Sequence, residues 1–74
     1  MAKLTDHIVD IVRAGGSVVI DAGGRMNDQL VTIAQAAAGS GATVTIKNAG
    51  SKVTDQLVAI AQAGKGRVVF DLTG

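Results

Sequence analysis

Apolar residues recur at i, i+3 and i+4 three times along the chain. They are Ile8, Ile11 and Val12, then Leu30, Ile33 and Ala34, then Leu57, Ile60 and Ala61. That spacing lays one apolar stripe along a helix. Each run opens alike, with an apolar residue, then Thr or Asn, then Asp: Leu4-Thr5-Asp6, Met26-Asn27-Asp28 and Val53-Thr54-Asp55. Thr and Asn accept free N–H groups of a first turn, so Thr5, Asn27 and Thr54 are the predicted N-caps. Asp one position later meets the positive end of the helix dipole. The apolar residue before each cap predicts the staple pairs Leu4–Val9, Met26–Val31 and Val53–Val58. Glycine closes each run, as Gly15-Gly16, Gly39 with Gly41, and Gly64 with Gly66. Glycine supplies the left-handed conformation that ends a helix. The Ala-rich run in the second copy extends its predicted helix to about Ala38.

A short β-branched segment follows each helix: SVVID from Ser17, TVTIK from Thr43 and RVVFD from Arg67. These predict strands. Val18 and Ile20, Val44 and Ile46, and Val68 and Phe70 alternate with Val19 and Asp21, Thr45 and Lys47, and Val69 and Asp71. One sheet face is therefore apolar and the other is mixed and charged.

The chain thus reads as one domain over residues 1–74, with three helix-strand repeats at about 4–24, 26–50 and 53–74 and a period of roughly 24 residues. Strands joined through a helix are parallel, with right-handed crossovers. Helices on both faces would demand two apolar faces, and only one is present. The expected fold class is a two-layer α/β repeat of order αβαβαβ. Its three parallel strands run 1-2-3 with all three helices on one face. Charge gives a separate argument. With the second strand central, Lys47 lies between Asp21 and Asp71, and opposite charges on neighbouring strands attract. With the first strand central, Asp21 would meet Asp71.

A one-sided stack of this kind resembles an α/β solenoid. The segment V-T-I-K-N-A from Val44 resembles the strand of leucine-rich repeats, especially the helical, ribonuclease-inhibitor type. Val and Ile stand where those repeats carry Leu. The resemblance implies protein–protein interaction through the open sheet face or its edges and carries over no functional residue. The A-x-x-G-x-x-V-x-I spacing is also similar to that of small uncharacterised bacterial proteins, which adds no function.

Composition narrows the function classes. The chain has 74 residues, no Cys, no Trp, no Tyr and a single Phe, and its net charge is +1. Without Cys there is no disulfide, thiolate nucleophile or Cys-ligated metal, which fits a cytoplasmic location. Phe70 alone gives no stacking platform for single-stranded nucleic acid, and no basic run marks a nucleic-acid or membrane surface. No apolar run approaches the ~20 residues of a membrane span. Met1-Ala2-Lys3 leads directly into a helix start, so no signal-peptide core is expected.

Candidate chemistry is sparse. Ala22-Gly23-Gly24-Arg25 and Ala49-Gly50-Ser51-Lys52 each place glycine and a basic residue before a helix, where parallel α/β proteins bind phosphate. Neither fits a phosphate-binding motif, and the Asp that follows each loop repels an anion. Ala63-Gly64-Lys65-Gly66 lies at the helix end whose dipole favours cations. Asp21, Lys47 and Asp71 could form an acid/base cluster, yet an open sheet face offers no water-poor cleft to shift their pKa values. His7 occupies the position of Gln29 and Gln56 and has no second metal ligand nearby. Arg13, Gln35 and Gln62 also share one position.

The leading expectation is a non-enzymatic repeat domain without catalytic, cofactor-binding or metal residues. It would associate with itself, as a homodimer or larger, or with another protein. The candidate interface is Val19, Asp21, Thr45, Lys47, Val69 and Asp71. Neither nucleic acid nor membrane is an expected partner. The alternative is an anion- or nucleotide-binding module using Gly23, Gly24, Arg25, Gly50, Ser51 and Lys52. The near-identity of NDQLVTIAQAA and TDQLVAIAQAG also permits a consensus-like piece of a longer solenoid.

Overall fold

The computed structural model describes residues 5–73. Three helices alternate with three strands: α1 (Thr5–Arg13), β1 (Val18–Asp21), α2 (Asn27–Ser40), β2 (Val44–Lys47), α3 (Thr54–Gly64) and β3 (Val68–Phe70). Short 3-10 turns, Ala22–Gly24 and Ala49–Ser51, lead from β1 and β2 into the next helix. The strands run β1-β2-β3 in space. All pairs are parallel and matched, with Val18 beside Val44 and Val44 beside Val68. Lys47 therefore lies on the middle strand, paired with Asp21.

All three helices lie on one face. Right-handed crossovers between sequential neighbours put α2 and α3 on the same side, and α1, which precedes β1, packs against α2 there. The molecule measures 29 × 29 × 18 Å. Its short dimension fits one sheet and one helix layer, because a second helix layer adds ~10 Å. Toward the helices, Ile20, Val44 and Ile46 are buried and Val18, Val68 and Phe70 are half-buried. The core between the layers gathers on the second unit, where Leu30, Ile33, Val44 and Ile46 are the large, fully buried side chains; Val12 and Ile60 flank them from α1 and α3. Alanines complete it: Ala22, Ala34, Ala37, Ala42 and Ala49 are buried and let the layers approach closely.

The helix ends depart from expectation by a residue or two. Met26 and Val53, not Asn27 and Thr54, take the cap positions of α2 and α3, and neither makes a side-chain cap bond. The extended backbone of Met26 and Val53 already starts the helix: each carbonyl accepts two bonds, Met26 from the amides of Gln29 and Leu30 and Val53 from those of Gln56 and Leu57. At α2 the reciprocal half of a capping box forms, with Met26 N–H donating to Gln29 Oε1 at 3.1 Å. This one-residue shift leaves Met26 and Val53 mostly exposed, so the two staple pairs they were expected to form cover little. The staple at Leu4 lies outside the described residues. Asn27 Oδ1 is buried without a partner. Asp6, Asp28 and Asp55 do sit in the first turns.

At the other end, α2 runs two residues past Ala38 and ends at Gly41, whose φ of 81° is left-handed. Gly39 is thus inside the helix. In α3 the left-handed cap is Lys65, with φ 50°, Gly64 is the last helical residue, and Gly66 is left-handed as well, with φ 87°. Gly64 is there for packing: a Cβ at that position would run into Val68 Cγ2.

Two glycines of similar sequence context are therefore expected to respond oppositely to alanine. Gly39→Ala meets nothing within 4 Å and improves a helix interior, so it should stabilise by ~0.5–1 kcal/mol. Gly64→Ala overpacks a stiff β-branched neighbour and should destabilise by ~1–3 kcal/mol. Urea unfolding of the two variants beside the parent checks both signs.

Candidate functional site: the uncovered sheet face

On the face opposite the helices the strands display Val19 and Asp21, Thr45 and Lys47, and Val69 with Asp71 just beyond β3. Val19 is 66% exposed and Val69 is 50% exposed. Thr45 between them is half-buried, Lys47 and Asp21 are exposed, and Asp71 is half-buried. The six residues expected at an interface are thus brought together, as an apolar row Val19-Thr45-Val69 beside a charged row Asp21-Lys47-Asp71. The sheet ladder carries on past β3, because Asp71 N–H donates to Ile46 O and Ala49 N–H donates to Asp71 O, both at 2.9 Å.

Both acids accept hydrogen bonds from their own turns, and Asp21 also accepts one from the end of the neighbouring strand. Asp21 Oδ1 accepts from Gly23 N–H at 2.7 Å, and its Oδ2 accepts from Asn48 Nδ2 at 2.6 Å. Asp71 Oδ1 accepts from the hydroxyl and, at 3.0 Å, from the N–H of Thr73. Both carboxyls are held below the ordinary Asp value. For Asp21 the Gly23 N–H is the main cause, followed by Asn48, with Lys47 adding at longer range. For Asp71 the Thr73 hydroxyl and then its N–H dominate, and Lys47 again contributes. Lowered carboxyls are charged acceptors and not proton donors near neutral pH.

Sequence reasoning passed over Asn48 and Thr73. Asn48 has no counterpart between β1 and its turn, since Ile20 is followed by Asp21-Ala22 and Ile46 by Lys47-Asn48-Ala49. The extra residue adopts a left-handed φ of 58°, which Asn tolerates better than most residues. That kink lets its amide reach Asp21 on the next strand. The broken alignment of the two copies at Asn48 was the available signal.

The two Gly-basic loops form the 3-10 turns. In the first, Asp21 already occupies the Gly23 N–H, and Arg25 N–H is bonded to Ala22 O. Arg25 also donates through Nη1 to Thr5 Oγ1 at 3.1 Å. In the second, Lys52 N–H is bonded to Ala49 O. An anion at the first loop would have to displace the Asp21 carboxylate. His7 is exposed on α1. Among the described residues no three His, Cys, Asp or Glu side chains gather as a metal site, and no helix is long and apolar enough to cross a membrane. Arg13 and Gln35 line a shallow groove of about 300 Å³ with Thr32, Ala36, Gly39 and Ser40. Among its described lining residues Arg13 alone carries a charge.

Carbon-detected NMR titration should place the Asp21 and Asp71 carboxyls below the range of Asp in free peptides. In Asn48→Gly, which keeps the backbone turn and removes the amide, Asp21 should move up but stay lowered, because Gly23 still donates. Carboxyls lowered by folding stabilise the fold above the ordinary Asp range and lose that contribution as pH falls through their folded values. The urea midpoint should therefore drop below about pH 4.

Compared with known proteins, the chain matches no family model, no curated sequence and no solved structure.

Proposed function

We propose that this chain is a non-enzymatic, solenoid-like repeat domain of the cytoplasm that associates with itself through its open sheet face or its edges. The observation that carries this reading is the apolar row on the uncovered face, with Val19 and Val69 at least half exposed on strands that, among the described residues, each lack an outer partner. Edge strands with free backbone groups recruit other chains. Short stacks of helix-strand units also leave their terminal units incompletely covered unless caps are present. Burial here agrees with that rule, since β2 is the best covered strand and β3 the least.

A catalytic reading finds little support. The acids of the face are bound to turn amides and hydroxyls, and the charged row lies open to water. Helical leucine-rich repeats, which the strand segment resembles, would imply the same use of the sheet face or its edges in binding protein.

Sedimentation equilibrium at tens of micromolar should give a mass above that of one chain. A clean monomer over that range would remove self-association.

A further inference from the structure

The three helices expose corresponding positions differently, and the differences run in one direction. Ile33 and Ile60 are fully buried, whereas their counterpart Ile11 is 42% exposed. The neighbouring positions agree: Gln29, Ala36, Gln56 and Ala63 are half-buried, whereas His7 and Ala14 are exposed. On α2 and α3 this side has the cover that a preceding helix supplies, and among the described residues no helix precedes α1.

The opposite side shows the reverse gradient. Val9 is buried, Val31 half-buried and Val58 47% exposed. Val12 and Ala34 are buried and Ala61 is exposed. Ile8 and Leu30 are buried and Leu57 is half-buried. On α1 and α2 this side has the cover that a following helix supplies, and among the described residues no helix follows α3. The two ends of the molecule thus expose the two halves of one contact that is formed twice within it.

The backbone repeats the relation. Val18 N–H donates to Thr43 O at 3.1 Å and Val44 N–H donates to Arg67 O at 2.9 Å. The next term of the series is Val68 N–H, on the free edge of β3. The residue corresponding to Thr43 and Arg67 is Ser17, which leads into the strand with the other free edge.

We infer that a second copy of this chain docks head to tail, its α1 and β1 against α3 and β3 of the first, continuing the sheet in parallel with Val18 beside Val68. The partner is the chain itself because its own interior supplies the matching pair of faces. Such a contact is heterologous and builds a ring or an open filament. This inference rests on the self-association proposed above and specifies its geometry. One feature opposes the joint: Asp71 and the second copy's Asp21 become neighbours across it, and like charges side by side repel. Salt screens exposed charges, so assembly should strengthen as salt rises.

Two substitutions, one at each exposed end, test the inference. Ile11→Lys blocks the α1 end and Val58→Lys the α3 end, and circular dichroism confirms that each variant is folded. Each should associate at least about tenfold more weakly than the parent, as loss of a central interface side chain does, and sediment as a monomer. An equimolar mixture should give two chains and no more, because one intact joint remains and both outer ends are blocked. Thr45→Lys, in the middle of the open face, separates the two geometries: docking by the ends keeps the parent mass, and docking by the face lowers it. Amides of Val68 and Phe70 should exchange slowly in the parent and fast in Val58→Lys. A parent that assembles but resists both end substitutions while dissociating with Thr45→Lys overturns the end-to-end geometry and leaves face association standing. A monomeric parent overturns both.

Discussion

Strand connection by right-handed crossover between immediate neighbours is the constraint on which the rest depends. A parallel pair cannot be joined by a hairpin, and a right-handed return puts the linking helix on a fixed side. When each strand is followed by its own neighbour, the linking helices α2 and α3 land on that same side, and α1 joins them by packing on α2. One face is then dry and the other wet. The alternation of Val18, Ile20, Val44 and Ile46 with Asp21 and Lys47 follows from this, as does the collection of every buried large side chain into a single layer.

That uneven cover decides where chemistry is available. The helix side is closed and carries no buried polar or charged residue among those described. The sheet side holds the charges, but each acid is drawn into a turn at the C-terminal edge of the strands. Asp21 ties β1 to Asn48 after β2, and Asp71 folds the chain beyond β3 onto Thr73. The turn that redirects the chain from β1 toward α2 and the turn beyond β3 are thus fastened by the residues that a motif search would first suspect of catalysis.

Much of the fold was legible because each signal occurs three times. A strand such as Val44-Thr45-Ile46-Lys47 is too short to convince alone, but its alternation repeats in Val18–Asp21 and Val68–Phe70, and the charges rank the strands. Capping was less legible. Asn27 and Thr54 have strong cap propensity, yet the extended backbone one residue earlier took the role, since a carbonyl can begin a helix without any side chain. Gly39 and Gly64 resemble helix stops in the sequence, whereas the structure needs one for nothing steric and the other for close packing on Val68. That distinction depends on a neighbour from another element and is invisible along the chain. The site was legible as a face, because alternation assigns faces. The hydrogen bonds within it were not, because Asn48 works through a left-handed kink that breaks the register of the copies.

The concentration of fully buried side chains on α2 and β2 has a dynamic consequence. Within a single undocked chain each outer unit leans on one neighbour and the middle unit on two. Freeing α1 with β1, or α3 with β3, breaks one set of contacts, whereas opening the centre breaks both. Structure of this kind loosens from its extremities inward, so the last amides to yield to solvent belong to the segment from Leu30 to Ile46.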